Sequence, residues 1–190
     1  MGCGEKYSRK GVERIELLKL AEKDFEKVYA LMEEAFPVEE VRPPKNAKAQ
    51  LRDPRYSILI SKNEADQMLG FIARWDLGTR IFVEHFAVDS SLRGGGIGSG
   101  MMRAFLSQAE KPVVIEVEDE KTETNLRRIH FYQRLGFHLS QYGYDQPVYR
   151  GDMSKKIPLK LMTYPNPLTA AGFEDFRQQV FTQIYKIIKT

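Results

Sequence analysis

Stretches in which every second residue is apolar alternate along this chain with stretches in which apolar residues recur every third or fourth position, the mark of mixed strands and helices. Ile15-Glu16-Leu17-Leu18-Lys19-Leu20 reads as a first strand. From Asp24, the residues Phe25, Val28, Tyr29, Leu31, Met32 and Phe36 keep helical spacing until Pro37 ends the run. A charged, proline-bearing connection, Pro37 to Pro44, precedes a short helix around Ala47 to Leu51. Tyr56 to Ile60 and Met68 to Trp75 flank the polar turn Asn63 to Gln67 as a hairpin, and a second turn at Asp76 to Thr79 leads into Arg80 to Val88. Three antiparallel strands follow from that spacing. A glycine cluster, a helix from about Gly98 to Ala109 and the stop at Pro112 bring the chain to Val113-Val114-Ile115-Glu116-Val117-Glu118. Its opening apolar run predicts a strand buried on both faces, and the helical connection makes it parallel to the strand before.

The second half repeats the alternation. Glu123 to Leu135 is predicted helical, with Leu126, Ile129, Phe131, Tyr132 and Leu135 on or near its buried side and Gly136 at its end. Phe137 to Tyr142 reads as a strand, Tyr144 to Met153 as a polar aromatic loop, and Ile157 to Tyr164 as a closing strand. After Pro165-Asn166-Pro167 the residues Phe173, Phe176, Val180, Ile184, Ile187 and Ile188 mark a final helix.

Composition narrows the class. The 190 residues are 42% hydrophobic and 29% charged, ordinary for a soluble domain, and the net charge of +3 is spread along the chain, which gives a nucleic-acid partner little support. No apolar run approaches the ~20 residues needed to span a bilayer. Residues 1–12 read as a flexible lead, 13–190 as one domain, and 168–190 as an appended helix; the expected compartment is the cytoplasm. Cys3 is the only cysteine, which excludes an internal disulfide and a multi-cysteine metal site. Met1-Gly2-Cys3 lacks the Ser or Thr that myristoylation favours, since Lys6 stands there.

Candidate chemistry centres on one junction. The strand Phe82 to Val88 is followed by Asp89-Ser90-Ser91-Leu92, by Arg93-Gly94-Gly95-Gly96-Ile97-Gly98-Ser99-Gly100, and at once by a helical pattern. Unpaired first-turn amides, the helix dipole and the missing side chains make this an anion site. A nucleotide-binding Gly-Lys-Ser/Thr is absent, for no lysine lies between Arg93 and Glu110. The dinucleotide spacing fails as well, with Ser99 or Met101 where its third glycine belongs. What fits is R-x-x-G-x-G, filled by Arg93, Gly96 and Gly98. Here the chain resembles the GNAT superfamily of N-acetyltransferases, whose pyrophosphate loop for acyl-coenzyme A has this form. A second block, Asn125 followed by Phe131-Tyr132-Gln133-Arg134-Leu135-Gly136-Phe137, resembles another segment of that family.

The resemblance runs from about Ile15 to Met162 and implies an α/β (α+β) fold: a mixed, mainly antiparallel central sheet, helices on both faces, and splayed central strands with the pantetheine arm between them. It implies backbone contacts to the arm along Phe86, Ala87 and Val88, with the Val88 amide polarising the acyl carbonyl. Amides across Gly94, Gly95, Gly96, Ile97, Gly98 and Ser99 would hold the pyrophosphate, with charge from Arg93, and Asn125 would bond the arm unless it is only a first-turn residue. Tyr132 would be the general acid, its phenol protonating a thiolate whose thiol has a pKa of about 8.5.

Glu84 is the candidate base. Alternation places Phe82, Glu84, Phe86 and Val88 on one face and His85 on the other. The competing role is a structural carboxylate paired with an arginine such as Arg74. Glu118 is a second candidate base, and Trp75, Tyr144, Tyr149, Arg42 and the loop with Glu39 and Glu40 are candidates for the acceptor side. No metal spacing and no Gly-x-Ser-x-Gly elbow is present. The expected activity is transfer of an acetyl group from acetyl-CoA to a primary amine in a ternary complex, without a metal; a homo-oligomer is compatible. The rival is an acyl-CoA sensor of the same fold without turnover, and the acceptor stays open.

Overall fold

The computed structural model describes residues 15–92 and 94–186. Its strands are β1 (Leu18–Lys19), β2 (Tyr56–Lys62), β3 (Met68–Asp76), β4 (Ile81–Val88), β5 (Val113–Glu118), β6 (His138–Pro147) and β7 (Lys156–Tyr164). They form one sheet in the order β1-β2-β3-β4-β5-β7-β6, antiparallel throughout except between β4 and β5. The helices are α1 (Phe25–Ala35), α2 (Pro44–Gln50), α3 (Ile97–Ser107), α4 (Glu123–Gln133) and α5 (Ala170–Gln179), and α5 runs on into a π-helical turn, Val180–Ile184.

Helical and strand periods select what each element buries. Phe25, Val28, Tyr29 and Met32 of α1 join Phe173 and Phe176 of α5 over Phe71, Ala73, Trp75, Phe82 and Val114 of the sheet. On the other face Met101, Met102, Phe105 and Leu106 of α3 meet Ile129 and Tyr132 of α4 over Ile72, Ile81, Val83 and Ile115. Burial on both sides is why β4 and β5 read as nearly continuous apolar runs. Among the described residues no helix is long and apolar enough to cross a membrane.

Four local expectations are corrected. The first strand shrinks from Ile15–Leu20 to Leu18–Lys19, which pair with Ile60 and Leu59, just before the irregularity of β2 between Ser61 and Lys62. The expected loop from Tyr144 is strand as far as Pro147. Its polar pattern belongs to a sheet edge, and its register against β7 slips between Leu139 and Gly143. The short second helix begins at Pro44, where proline loses no intrahelical bond. The final helix gives way to the π-helical turn after Gln179, and Ile187 and Ile188 lie outside the described residues, as does the lead at 1–12.

The approach of β3 to β4 is close enough to exclude a side chain at one point. A Cβ on Gly70 would stand 2.5 Å from the carbonyl oxygen of Ala87 and 3.0 Å from Met101 Sδ. The first neighbour is backbone and cannot step aside without disturbing β4. Gly70→Ala is therefore expected to destabilise the fold by about 1–3 kcal/mol in urea unfolding, and an unchanged midpoint would show that the strands can part at no cost.

Candidate active site

The site begins with a break in alternation. Along β3 and β4 the pairs run from Gly70 with Val88 to Ala73 with His85, then shift so that Arg74 faces Val83. Glu84 is the extra residue of a β-bulge, which resets the strand so that residues on either side of it no longer alternate in phase. Phe82, Glu84, His85 and Ala87 therefore face α1 and α5, and Phe86 and Val88 face α3 and α4. This corrects the expected single face of Phe82, Glu84, Phe86 and Val88 with His85 opposite. His85 instead stacks edge-on against Phe36 at 4.7 Å, with its Nε2 3.0 Å from the Glu40 carbonyl oxygen.

At the same level the sheet opens. The parallel pairing of β4 with β5 ends at Val83 and Ile115, so from Glu84 and Glu116 onward the two strands have separated. A cavity of about 260 Å³ occupies the gap, lined by Glu84, Phe86, Val88, Glu116, Arg128 and Tyr132 among others. A smaller one of about 40 Å³ adjoins it, sharing Phe36, Glu84, Glu116 and Arg128 and adding Glu40, His85, Glu118 and Tyr149. A larger hollow of about 580 Å³ against α2 and β2 touches neither the gap nor the glycine turn.

The glycine turn closes the end of the gap. Gly94 and Gly96 have φ of +86° and +80°, and a Cβ on either would meet nothing within 4 Å. The left-handed backbone and the open space both suit a group lying against the main chain. Gly96 caps α3, and the first intrahelical bond is from the Gly100 amide to the Gly96 carbonyl, which leaves the amides of Ile97, Gly98 and Ser99 without helical acceptors. Gly98 lies beside Val88 and Phe86, so turn and gap are continuous. These features fit a pyrophosphate with a slender arm running toward Glu116. Arg93, expected to add charge, lies outside the described residues. Asn125 sits in the first turn of α4, where its Nδ2 donates to the Asp119 carbonyl at 2.8 Å, and it does not line the gap.

Four glutamates converge on the smaller cavity in unequal states. Glu84 accepts from Arg42 Nη1 at 2.5 Å, from Tyr149 Oη at 2.8 Å and from Trp75 Nε1 at 2.8 Å, and its side chain is only 3% exposed. Burial alone would raise its pKa, but the Arg42 guanidinium, with His85 and the hydrogen bonds, holds it down to about 2. The partner expected among the arginines, Arg74, instead donates to Ser57. Glu116 has no ion pair among the described residues; desolvation pushes it up to about 7 against hydrogen bonds from Tyr144 and Tyr185, and the charges of Glu84 and Glu40 raise it further. Glu40 is also raised to about 7, by desolvation and then by Glu118. Glu118 is partly exposed and pairs with Arg128 at 3.2 Å. Across the gap Tyr132 is 7% exposed, and burial pushes its phenol up to about 12 despite Arg128.

The sequence profile of the acetyltransferase (GNAT) family matches residues 25–137, more than half of the chain. The chain belongs to the GNAT family. A GNAT-family protein from Bacteroides thetaiotaomicron is 32% identical, with a TM-score of 0.84 over 92% of this chain and 100% of that one. The ribosomal-protein-S18-alanine N-acetyltransferase of Escherichia coli shares the GNAT fold at 18% identity and a TM-score of 0.60, covering 82% of this chain and 96% of its own. The spermidine/spermine N-acetyltransferase of Vibrio cholerae does so at 12% and 0.58, covering 79% and 91%. A search of curated proteins found no match.

Several residues that the sequence assigned to different tasks thus meet in one GNAT cluster. Trp75, Arg42 and Tyr149 all bond Glu84, and the Tyr149 amide donates to the Glu39 carbonyl at 2.7 Å, latching the loops after α1 and β6 together. Glu116 is a candidate that the sequence reading did not single out. The signal was there in the alternation of Val114, Glu116 and Glu118, which puts a carboxylate mid-strand inside an apolar run.

The raised carboxyls make a pH prediction. Between the ordinary glutamate value of 4.5 and about 7, Glu116 and Glu40 hold protons in the folded chain that they lose in the unfolded one. Stability therefore falls as pH rises through that window, by up to about 3 kcal/mol for one such group. Glu84 acts oppositely, adding stability as pH rises from about 2 to 4.5. Denaturant unfolding from pH 4.5 to 8 is expected to show the decline, and Glu116→Gln to flatten part of it; identical slopes for both proteins would contradict the assignment.

Proposed function

We propose that this chain transfers an acetyl group from acetyl-CoA to a primary amine by direct attack in a ternary complex. The observation that supports it best is the meeting of two cavities at Glu116: one runs to the glycine turn past Phe86, Val88 and Tyr132, and the other is lined by Glu40, Glu84, Glu118 and Tyr149. The first suits an acyl-CoA arm. The second, rich in carboxyls, suits an ammonium group.

The carboxyls divide the work according to their charge states. Glu116, near 7, takes a proton from the acceptor ammonium at neutral pH, the role expected of Glu84 from its place on the strand. Glu84, already ionised and bonded by Arg42, Tyr149 and Trp75, is a poor base but a fixed negative charge beside the incoming cation. The freed nitrogen attacks the thioester carbon, so that a C–N bond forms and the C–S bond breaks. Tyr132 gives its proton to the departing sulfur, and the second proton leaving the nitrogen restores the phenol. One amide, one free thiol and one released proton complete the balance. The β4 backbone between Glu84 and Val88, left without a strand neighbour on this side, supplies the dipole that polarises the carbonyl.

The amine classes named for the E. coli and V. cholerae enzymes differ from each other, so the fold does not choose the acceptor. Thiol release from acetyl-CoA, followed across alkyl monoamines, diamines and a peptide with a free N-terminus, tests the activity. Glu116→Gln is expected to lower kcat by about 10²–10⁴-fold and Tyr132→Phe by less, while Glu84→Gln acts mainly on KM for the amine. Acetyl-CoA at a hundred times its dissociation constant should add about 2.7 kcal/mol of stability. Stabilisation without turnover would mark a sensor, and the absence of both effects would overturn the proposal.

A further inference from the structure

The final helix lies outside the segment that carries the family resemblance, yet its last turn reaches the reacting end of the site. Phe176, Val180 and Ile184 anchor it in the core, with Phe176 edge-on to Phe82 at 5.4 Å, and Arg80 ties it down through the Gly172 carbonyl and Asp175. The π-helical turn then changes the phase of the chain, its closing bond running from the Tyr185 amide to the Val180 carbonyl at 3.0 Å. Such turns insert one residue into the helical repeat and recur at functional sites. Here the effect is to swing Tyr185 toward the sheet, where its hydroxyl donates to Glu116 Oε1 at 2.9 Å.

Tyr144 of β6 donates to the same oxygen, so both phenols hold Oε1 and Oε2 is left for the acceptor nitrogen. The two tyrosines are braced by one ring, for Phe181 stands edge-on to Tyr144 and to Tyr185 at 5.4 Å each. Tyr185 also lies 5.9 Å from Tyr149, which bonds Glu84. We propose that Tyr185 is a positioning residue for Glu116, and hence that the C-terminal helix is a working part of the active site. The inference rests on the reading of Glu116 as the base.

The groups facing Glu116 are Tyr144 from β6, Tyr185 from the π-helical turn, Glu84 and His85 from β4, Glu40 from the turn after α1, Tyr149 from the loop after β6, Arg128 and Tyr132 from α4, and Glu118 from its own strand. Burial and the charges of Glu84 and Glu40 disfavour its ionised form, and the two phenols favour it. Removing one phenolic hydroxyl therefore raises the pKa of Glu116. Tyr185→Phe keeps the ring and its packing and deletes only that donor.

The test is a ¹³C NMR titration of glutamate-labelled protein, with Glu116→Gln used to assign the Glu116 carboxyl. In Tyr185→Phe that carboxyl is expected to titrate about one pH unit higher than in the parent. With acetyl-CoA and the best amine of the panel, kcat/KM should then drop about fivefold at pH 7 and recover by pH 9, a rescue that damaged packing would not show. An unmoved titration, or a loss of activity that persists at pH 9, overturns the inference. Should Glu116→Gln keep full activity, the reading of Glu116 itself falls, an outcome distinct from a Tyr185 hydroxyl that does nothing to an essential Glu116.

Discussion

The parting of β4 from β5 is the constraint on which the rest of this structure depends. Parallel strands with apolar faces covered by helices have every reason to stay zipped, and these two do so as far as Val83 and Ile115. Beyond that point the bulge at Glu84 changes the direction of β4, and the sheet holds open a gap that its own backbone does not fill. Helices α1 and α5 on one face and α3 and α4 on the other keep the fold intact around the opening. The price in unmade strand pairing is offset by two cores that continue past it.

Electrostatics makes the opening selective. Four glutamates surround the smaller cavity; the buried Arg42 pairs with Glu84 and the more exposed Arg128 with Glu118, and among the described residues Glu40 and Glu116 have no ion pair. The ion pair fixes Glu84 as a permanent anion, and that anion helps keep Glu116 from ionising early. Two carboxyls in one site are thereby driven apart in pKa, and on the proposed reading this separates attracting a cation from removing its proton. Across the gap, burial likewise disfavours the charged form of Tyr132 and raises its phenol to about 12.

Much of the architecture was legible because it rests on period. The hairpin, the parallel β5, the helices flanking it and the glycine turn all follow from apolar spacing and from where glycine and proline stand. The bulge was not legible. Nothing in Phe82-Val83-Glu84-His85-Phe86 distinguishes a strand that alternates from one that slips, because both faces of β4 are buried and either phase would bury apolar side chains. That ambiguity displaced His85 and left Glu84 without its true partner, since Arg42 arrives from a loop 42 residues away in sequence. β6 was truncated for a similar reason: an edge strand can be polar on most positions and still pair. Glu116 was legible only as a carboxylate inside an apolar run, between isoleucine and valine; the fold adds what spacing could not, the convergence of Tyr144 and Tyr185 on it.

On the proposed reading an acyl-CoA arm occupies the opening between β4 and β5 with its thioester beside Glu116 and Tyr132. A crystal structure of the protein with coenzyme A tests this. The pyrophosphate is expected on the amides of the Gly94 to Ser99 turn, the arm along β4 from Val88 toward Glu84, and the sulfur next to the Tyr132 hydroxyl. Coenzyme A bound instead in the basic hollow against α2 and β2, with the β4–β5 gap empty, would contradict it.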